Sequence, residues 1–344
     1  MLMDKSIKNR LRILTLIIII LLSVSSFCFS TSYKALAKED EVHLGGLPIG
    51  LNITSDGLVV IDFKPIITTS GAVCPARESG IEKGDLILSS NKNAIRTAND
   101  LQNSINNANS ESIPLTIFRE DKELELIVNL VFDPLAGMKK MGLIVKNDIS
   151  GVGTITYIDN TGNYCSLGHK ICDSNLDNQS FYQKGNIYNA TILGVYKGND
   201  NEAGALKGAF DKNSASIGNT IKNCDFGVYG KITDDSFYKN RELVKLGSKS
   251  DVKPGKAYIY TTIEGSTPQK YQIEIVKNYN QDKPEIKSMV IRVTDKRLLE
   301  KAGGIVQGMS GSPIVQNDKL VGAVTHVFLK DSSIGYGVYI DWLF

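Results

Sequence analysis

Histidine is scarce in this 344-residue chain, which has three. Chemistry that needs an imidazole base must use His43, His169 or His326. An excess of one charge is also missing, since 39 Lys and Arg stand against 37 Asp and Glu, for a formal net charge of +2. No strongly basic block stands out beyond the N-terminus, so charge gives no support to a nucleic-acid partner. Standard zinc-ligand spacing is absent too. Cys165, His169 and Cys172 form Cys-x3-His-x2-Cys, unlike the Cys-x2-Cys or His-x3-His pairs of structural sites. Neither a metal nor a cofactor is expected; a zinc-stabilised domain on those three residues with Cys224 is the remaining metal reading. The apolar fraction of 42% excludes a fibrous or broadly disordered chain, and the length accommodates two modest domains.

What is present begins with Lys5, Lys8, Arg10 and Arg12 ahead of an uncharged apolar run from Ile13 to about Phe29. This pattern is an export signal, borderline between a secretory segment and a spanning helix of ~20 residues. Ala35-Leu36-Ala37 offers a small-x-small cleavage site. Residues 1–37 are therefore expected to be a signal peptide or a membrane anchor, with both outcomes open. In either case the rest of the chain is expected outside the cytoplasm, membrane-associated at least before processing. Cys74, Cys165, Cys172 and Cys224 follow the export segment, and their spacing does not fix whether they pair.

From Val42 to about Phe132 short strands alternate with tight turns and one helix. Thr97 is placed to cap a helix through Leu101 and Ile105 to about Ala108. The Gly80-Ile81 turn, the Gly84-Asp85 turn into Leu86-Ile87-Leu88, and the link from Asn91 to Thr97 together resemble a PDZ domain, expected over 42–132. That resemblance implies a peptide added as a strand beside the helix. Its terminal carboxylate would be captured by backbone N–H groups of a glycine-apolar loop, here Gly46, Leu47, Pro48, Ile49 and Gly50. The plainer reading is a small α+β spacer. After Asp133-Pro134 glycine-punctuated strand patterns predominate, among them Gly142 to Val145, Gly151 to Ile158, Gly227 to Lys231, Leu320 to Thr325 and Gly335 to Ile340. Many short antiparallel strands predict a mainly β fold, as a sandwich or a pair of small barrels, over residues 140–344.

Residues 307–314 read Gln-Gly-Met-Ser-Gly-Ser-Pro-Ile. A serine held between glycines just before an apolar strand is what acyl transfer needs, because the backbone can fold back and aim N–H groups beside Oγ. An ordinary Gly-Ser hairpin turn is the bland alternative. Ser312 is the rival nucleophile, but its place beside Pro313 at the start of a strand suits a buried hydroxyl better. For the base, His43 lies across the PDZ-like unit, leaving His169 in Gly168-His169-Lys170 and His326 at the end of the strand following Ser310. Residue physics favours His169 modestly, as a sharp turn that exposes its ring.

Residues 303–328, with Gly-Met-Ser-Gly-Ser-Pro and Leu-Val-Gly-Ala-Val-Thr-His-Val-Phe, resemble the nucleophile region of the SpoIVB peptidases, as does Gly335-Tyr336-Gly337-Val338-Tyr339-Ile340. More distantly, the hairpin is similar to the Gly-x-Ser-Gly-Gly-Pro turn of trypsin-like double-barrel proteases, though Met309 stands where those often carry Asp. The order of export segment, PDZ domain and serine peptidase is that of the same sporulation family. The resemblance implies Ser310 as nucleophile, His169 as general base, Asp295 as orienting acid, and the N–H groups of Gly308 and Ser310 as the oxyanion hole. Asp173 is a nearer carboxylate to His169 in sequence, and Asp295 also reads as the N-cap of Lys296 to Ala302. It further implies an exported serine endopeptidase of endospore formation in the forespore intermembrane space. Such an enzyme cleaves itself and a membrane-tethered regulator of an intramembrane metalloprotease, and so activates the late mother-cell sigma factor. A non-catalytic PDZ adaptor on a degenerate barrel is the competing class.

Overall fold

The computed structural model describes residues 41–173, 181–198 and 202–344. The expected export segment lies outside these. Among the described residues no helix is long and apolar enough to cross a membrane. The chain starts with β1 (Glu41–Leu44) and the long β2 (Pro48–Phe63), then β3 (Leu86–Ser90), α1 (Ala98–Asn106), β4 (Ser112–Arg119) and β5 (Lys122–Asn129). A second long strand, β6 (Leu143–Ile158), leads to β7 (Asn163–Ser166), β8 (Tyr182–Asn189), β9 (Gly218–Cys224) and β10 (Gly227–Ile232). The C-terminal part contains β11 (Leu243–Leu246), β12 (Gly255–Thr261), β13 (Gln269–Asn278), β14 (Met289–Val293), α2 (Lys296–Ala302), β15 (Pro313–Gln316), β16 (Lys319–Val327) and β17 (Ile334–Tyr339).

Two closed antiparallel barrels emerge from the strand pairing. In the first, the ring runs β2, β6, β7, β10, β9, β8 and back to β2. The second runs β12, β13, β14, β17, β16, β15 and back to β12. β1 pairs with β6 and with β11, and β11 lies parallel to β16, so a short ladder joins the barrels. Closure removes the unpaired edges an open sheet would carry. The fold is thus mainly β with a double barrel, as the strand spacing predicts.

Alternation along the strands fills each barrel. Ile49, Leu51 and Ile53 of β2 point inward with Ile155, Tyr164, Ile187 and Val228. Ile259, Ile273, Ile291, Ile314 and Val324 do the same in the second barrel. Each such side chain contributes roughly 1.5–3 kcal/mol of burial, set against the entropy of ordering the chain. A third cluster, with Leu58, Val60, Ile87, Leu101, Ile105 and Ile117, forms the core of the α+β unit.

The boundary between expected domains 42–132 and 140–344 needs correction, because the chain enters the first barrel before it builds the α+β unit. The first half of β2 pairs with β6 on one side and β8 on the other, while its second half pairs with β3 of the unit. The unit is therefore inserted between β2 and β6, both of which run from it into the barrel. Likewise, Gly142 to Val145 and Gly151 to Ile158, expected as separate strands, lie on the single strand β6 or at its entry.

Within the unit, α1 begins at Thr97, whose hydroxyl accepts from the Asp100 N–H while the Asp100 carboxylate accepts from the Thr97 N–H. This reciprocal box satisfies two of the donors every helix start leaves over. Asp85 is buried, and its two oxygens receive Nε and Nη2 of Arg119, both at 2.7 Å. Asp85→Ala leaves that guanidinium with only the exposed Glu82 carboxylate, on Nη1. A loss of about 3 kcal/mol is expected. Chemical denaturation followed by circular dichroism checks it, and a change below about 1 kcal/mol contradicts the assignment.

Candidate active site

The segment that carries Ser310 is shaped by its glycines. Gly308 and Gly311 both have φ of +93°, a backbone region that disfavours other residues. A Cβ at Gly311 would sit 2.1 Å from the Thr154 carbonyl oxygen and 2.4 Å from the Leu167 nitrogen, so the close approach of three segments also demands glycine. Inside the turn the Met309 N–H donates to Val306 O, the Gly311 N–H to Val324 O, and the Ser312 N–H to Met309 O. The N–H groups of Gly308 and Ser310 donate to no group among the described residues. Two uncommitted donors on either side of Met309 can hold a developing oxyanion.

β6 clamps this turn from the first barrel. Thr154 Oγ1 donates to Gly308 O at 2.7 Å and Thr156 Oγ1 to Gly311 O at 2.8 Å; both threonines are buried. Ser310 is half-buried, and its Oγ donates to the Thr325 carbonyl at 2.8 Å. Ser312 is fully buried and its Oγ has no hydrogen-bond partner among the described residues, which removes it from any surface a substrate could reach.

His169 follows two left-handed residues, Leu167 at φ +69° and Gly168 at φ +68°, that turn the chain sharply off β7. A Cβ on Gly168 would lie 3.0 Å from Thr325 Cγ2 and 3.6 Å from Val324 O, so this turn packs on the strand that accepts the Ser310 hydroxyl. The His169 and His326 rings have centroids 5.3 Å apart. Ser310, His169 and His326 therefore converge on one patch from three strand ends, with no Ser310–His169 hydrogen bond in this arrangement. Nδ1 of His169 is 2.9 Å from the Lys170 carbonyl. Only a protonated Nδ1 can bond there, which leaves Nε2 as the acceptor a serine proton requires.

Burial holds the His169 imidazole below its usual value, partly opposed by the bond to Lys170 O. His326 is pushed down to about 4, first by burial and then by the neighbouring His169 and Lys287. Its Nδ1 is buried without a partner among the described residues. Both rings line a cavity of about 690 Å³ together with Asp225 and Glu285. Sequence reading does not single out Asp225, which reaches the site through pairing of β7 with β10. The register Ser166↔Val228, extended past Gly227, sets the Asp225 turn opposite His169, and Asp225 pairs with Lys170 Nζ at 3.0 Å.

Asp295 is placed elsewhere. It caps α2 by accepting from the Arg297 N–H, accepts from the Gln272 N–H at 3.2 Å, and pairs with the Arg297 guanidinium at 2.8 Å. The Arg297 bond above all holds its carboxyl at about 2. With its oxygens so engaged it contacts neither histidine of the cavity, and the helix-cap reading of this residue is the one the geometry fits. Asp173, the other carboxylate, is buried and paired with Lys146.

The loop Gly46-Leu47-Pro48-Ile49-Gly50 is also corrected. The Gly46 N–H donates to Ile155 O, Leu47 O accepts from the Ile155 N–H, and Pro48 to Gly50 form barrel pairs with β6. Ile49 and Gly50 pair with β8 as well, so this backbone has no edge left for a peptide. His43 is buried edge-on against Tyr238 and serves the core. Cys165 is buried beside Tyr229, its thiol pushed up to about 12, whereas His169 and Cys172 line the cavity. Those three do not share a centre, and no metal-ligating cluster occurs among the described residues.

Comparison with known proteins gives one family match and two distant structural similarities. The family profile described as SpoIVB peptidase S55 matches residues 137–344. The chain is similar to the solved Rv3671c protease from M. tuberculosis in its active form, at 13% identity and TM-score 0.30, over 56% of this chain and 70% of that one. It is similar to the HtrA-type protease AlgW solved with a decapeptide, at 14% identity and TM-score 0.35, over 62% of this chain and 58% of that one. No curated protein matches.

The lowered His169 value gives a pH prediction. A general base must be neutral, and a depressed imidazole stays neutral further into acid. With His169 as the base, the acid limb of kcat/KM is expected to have its midpoint below the ordinary imidazole value of about 6.5. A profile of peptide cleavage against pH measures this, and a midpoint above that value contradicts the buried, carbonyl-bound base.

Proposed function

The chain belongs to the SpoIVB peptidase S55 family and is a serine peptidase, and we propose that Ser310 is its nucleophile, His169 its general base, and the N–H groups of Gly308 and Ser310 its oxyanion hole. The observation that carries this reading is the pair of uncommitted N–H groups flanking Met309 in a turn whose other amides are all bonded. In the reaction Ser310 Oγ leaves the Thr325 carbonyl, gives its proton to His169 Nε2 and attacks the scissile carbonyl. The resulting oxyanion takes the two free donors. His169 then protonates the leaving amine, and a water deprotonated by the same ring resolves the acyl-enzyme. The Lys170 carbonyl holds the imidazole tautomer throughout, the part a carboxylate plays in the trypsin-like arrangement.

The family also supports a finer reading. The enzyme acts after export, in the forespore intermembrane space, on a membrane-tethered regulator of an intramembrane metalloprotease and on itself. The PDZ-like unit, rebuilt here as an insertion around α1, docks protein partners. Self-cleavage falls in the stretch between Ala37 and His43 or in the connection between the unit and the barrel. Ser310→Ala is expected to lower cleavage by roughly 10⁴-fold or more, as loss of a serine nucleophile does in related chemistry. N-terminal sequencing of that variant beside wild type is expected to show processing of wild type alone. Identical processed ends, or cleavage at the wild-type rate, contradict the proposal.

A further inference from the structure

Each uncommitted donor of the Ser310 turn is aimed by the carbonyl of its own peptide plane, because in a trans peptide the N–H points opposite to the C=O. For the Ser310 N–H that carbonyl is Met309 O, which accepts from the Ser312 N–H at 3.0 Å inside the turn itself. For the Gly308 N–H it is Gln307 O, which accepts from the Leu206 N–H at 2.8 Å. One half of the oxyanion site is therefore set locally, and the other half by a distant stretch of the chain.

Leu206 belongs to a hairpin of Thr191–Tyr196 and Ala205–Ala209, which leaves the first barrel between β8 and β9. Its base packs on that barrel. A Cβ at Gly50 would sit 2.1 Å from the ring of Phe210, just past the hairpin, and this ring stacks on Tyr188 with centroids 5.9 Å apart. The body of the hairpin crosses to the second barrel. There the Gln307 N–H donates to Gly204 O at 2.7 Å, so both backbone groups of Gln307 are gripped, and Ile192 and Gly265 exchange N–H···O bonds of 2.8 Å. Val195 and Leu206 pack half-buried against the second core. Leu206 also covers Gly308, where a Cβ would meet Leu206 Cβ at 3.1 Å.

Gly308 has no side chain to oppose rotation of the peptide before it, and its φ of +93° is one a glycine can leave at little steric cost. Held by a few hydrogen bonds and half-buried side chains, the hairpin opens at lower cost than the barrel strands around it. We propose that this hairpin is the positioning element of the oxyanion hole. While it is docked, the Leu206 N–H holds Gln307 O and turns the Gly308 N–H towards the substrate; when it lifts, that peptide rotates and the hole loses one of its two donors. The inference rests on the reading of Ser310 as nucleophile with the Gly308 and Ser310 N–H groups as its hole. Leu206 acts through Gly308 and is a positioning residue, and docking of the hairpin switches peptidase activity with Ser310 and His169 left in place.

The test uses full-length protein in which the Leu206 amide is replaced by an ester, through leucic acid, which deletes the N–H and keeps the side chain. The matching ester at Lys207 is the control, because alternation along the strand turns that N–H towards Thr191–Tyr196 instead. Each variant lacks one backbone donor, so a merely structural loss moves both equally. Labelling of Ser310 by a diphenyl phosphonate is followed to saturation. For the Leu206 ester the limiting rate constant is expected to fall roughly 10- to 100-fold with the half-saturating concentration unchanged, as loss of an oxyanion donor does. The Lys207 ester is expected to match wild type. Deuterium exchange is expected to quicken over residues 304–309 in the Leu206 ester alone. Equal losses in the two variants, a change confined to half-saturation, or unchanged exchange at 304–309 overturns the proposal. A wild type unlabelled at Ser310 overturns the nucleophile reading and the catalytic half of the proposal with it, and the exchange comparison still decides whether the hairpin holds the turn.

Discussion

Two threonine hydroxyls hold the site together. Thr154 and Thr156, alternate residues of β6 in the first barrel, donate to Gly308 and Gly311 of a turn that belongs to the second. Alternation puts both side chains on one face of the strand, and both are buried, so the bonds form where water does not compete. The consequence reaches the backbone around Ser310. With the carbonyls of residues 308 and 311 tied to β6 and the amides of 309, 311 and 312 tied within the second barrel, the amides of 308 and 310 are the ones left over. The glycines at 308 and 311 make this possible by adopting a positive φ and letting Thr154 and Leu167 come close.

The same strand explains how the remaining parts meet. β6 begins against α1, crosses into the first barrel, and ends beside β7, whose exit turn carries His169. Its last third grips the Ser310 turn. A continuous strand of 16 residues thus meets α1, the His169 turn and the Ser310 turn, each from a different sequence neighbourhood. Burial lowers both imidazoles, and the carboxylates near them are engaged with lysines or open to solvent. Ser310 Oγ rests on the Thr325 carbonyl, an arrangement from which substrate binding must rotate it. Free serine peptidases commonly tighten their catalytic bonds only on binding substrate.

Some of this is readable in the chain. The glycine-bounded turn at Ser310, the cap at Thr97 and the apolar spacing of Leu101 and Ile105 are local signals, and local physics decides them. β8 and β9 are not readable, because Gln-Lys-Gly-Asn and Asn-Thr-Ile-Lys-Asn segments carry little strand propensity and are held by barrel closure. The Gly46 to Gly50 loop shows a local pattern overruled: glycine and apolar residues suit a carboxylate loop, but the backbone is consumed by β6 and β8. Asp295 rests on family resemblance for its catalytic part and on its own neighbours for its helix cap, and the structure follows the neighbours. Asp225 joins the cavity that His169 lines through a non-local register and leaves no sequence trace.

The central claim is that Ser310 is activated by His169. Reaction of the full-length protein with a serine-directed diphenyl phosphonate, followed by peptide mass mapping, tests it most directly. The predicted result is an adduct on Ser310 in wild type that disappears in His169→Ala. An unlabelled Ser310, or labelling unchanged by His169→Ala and lost instead in His326→Ala, contradicts it.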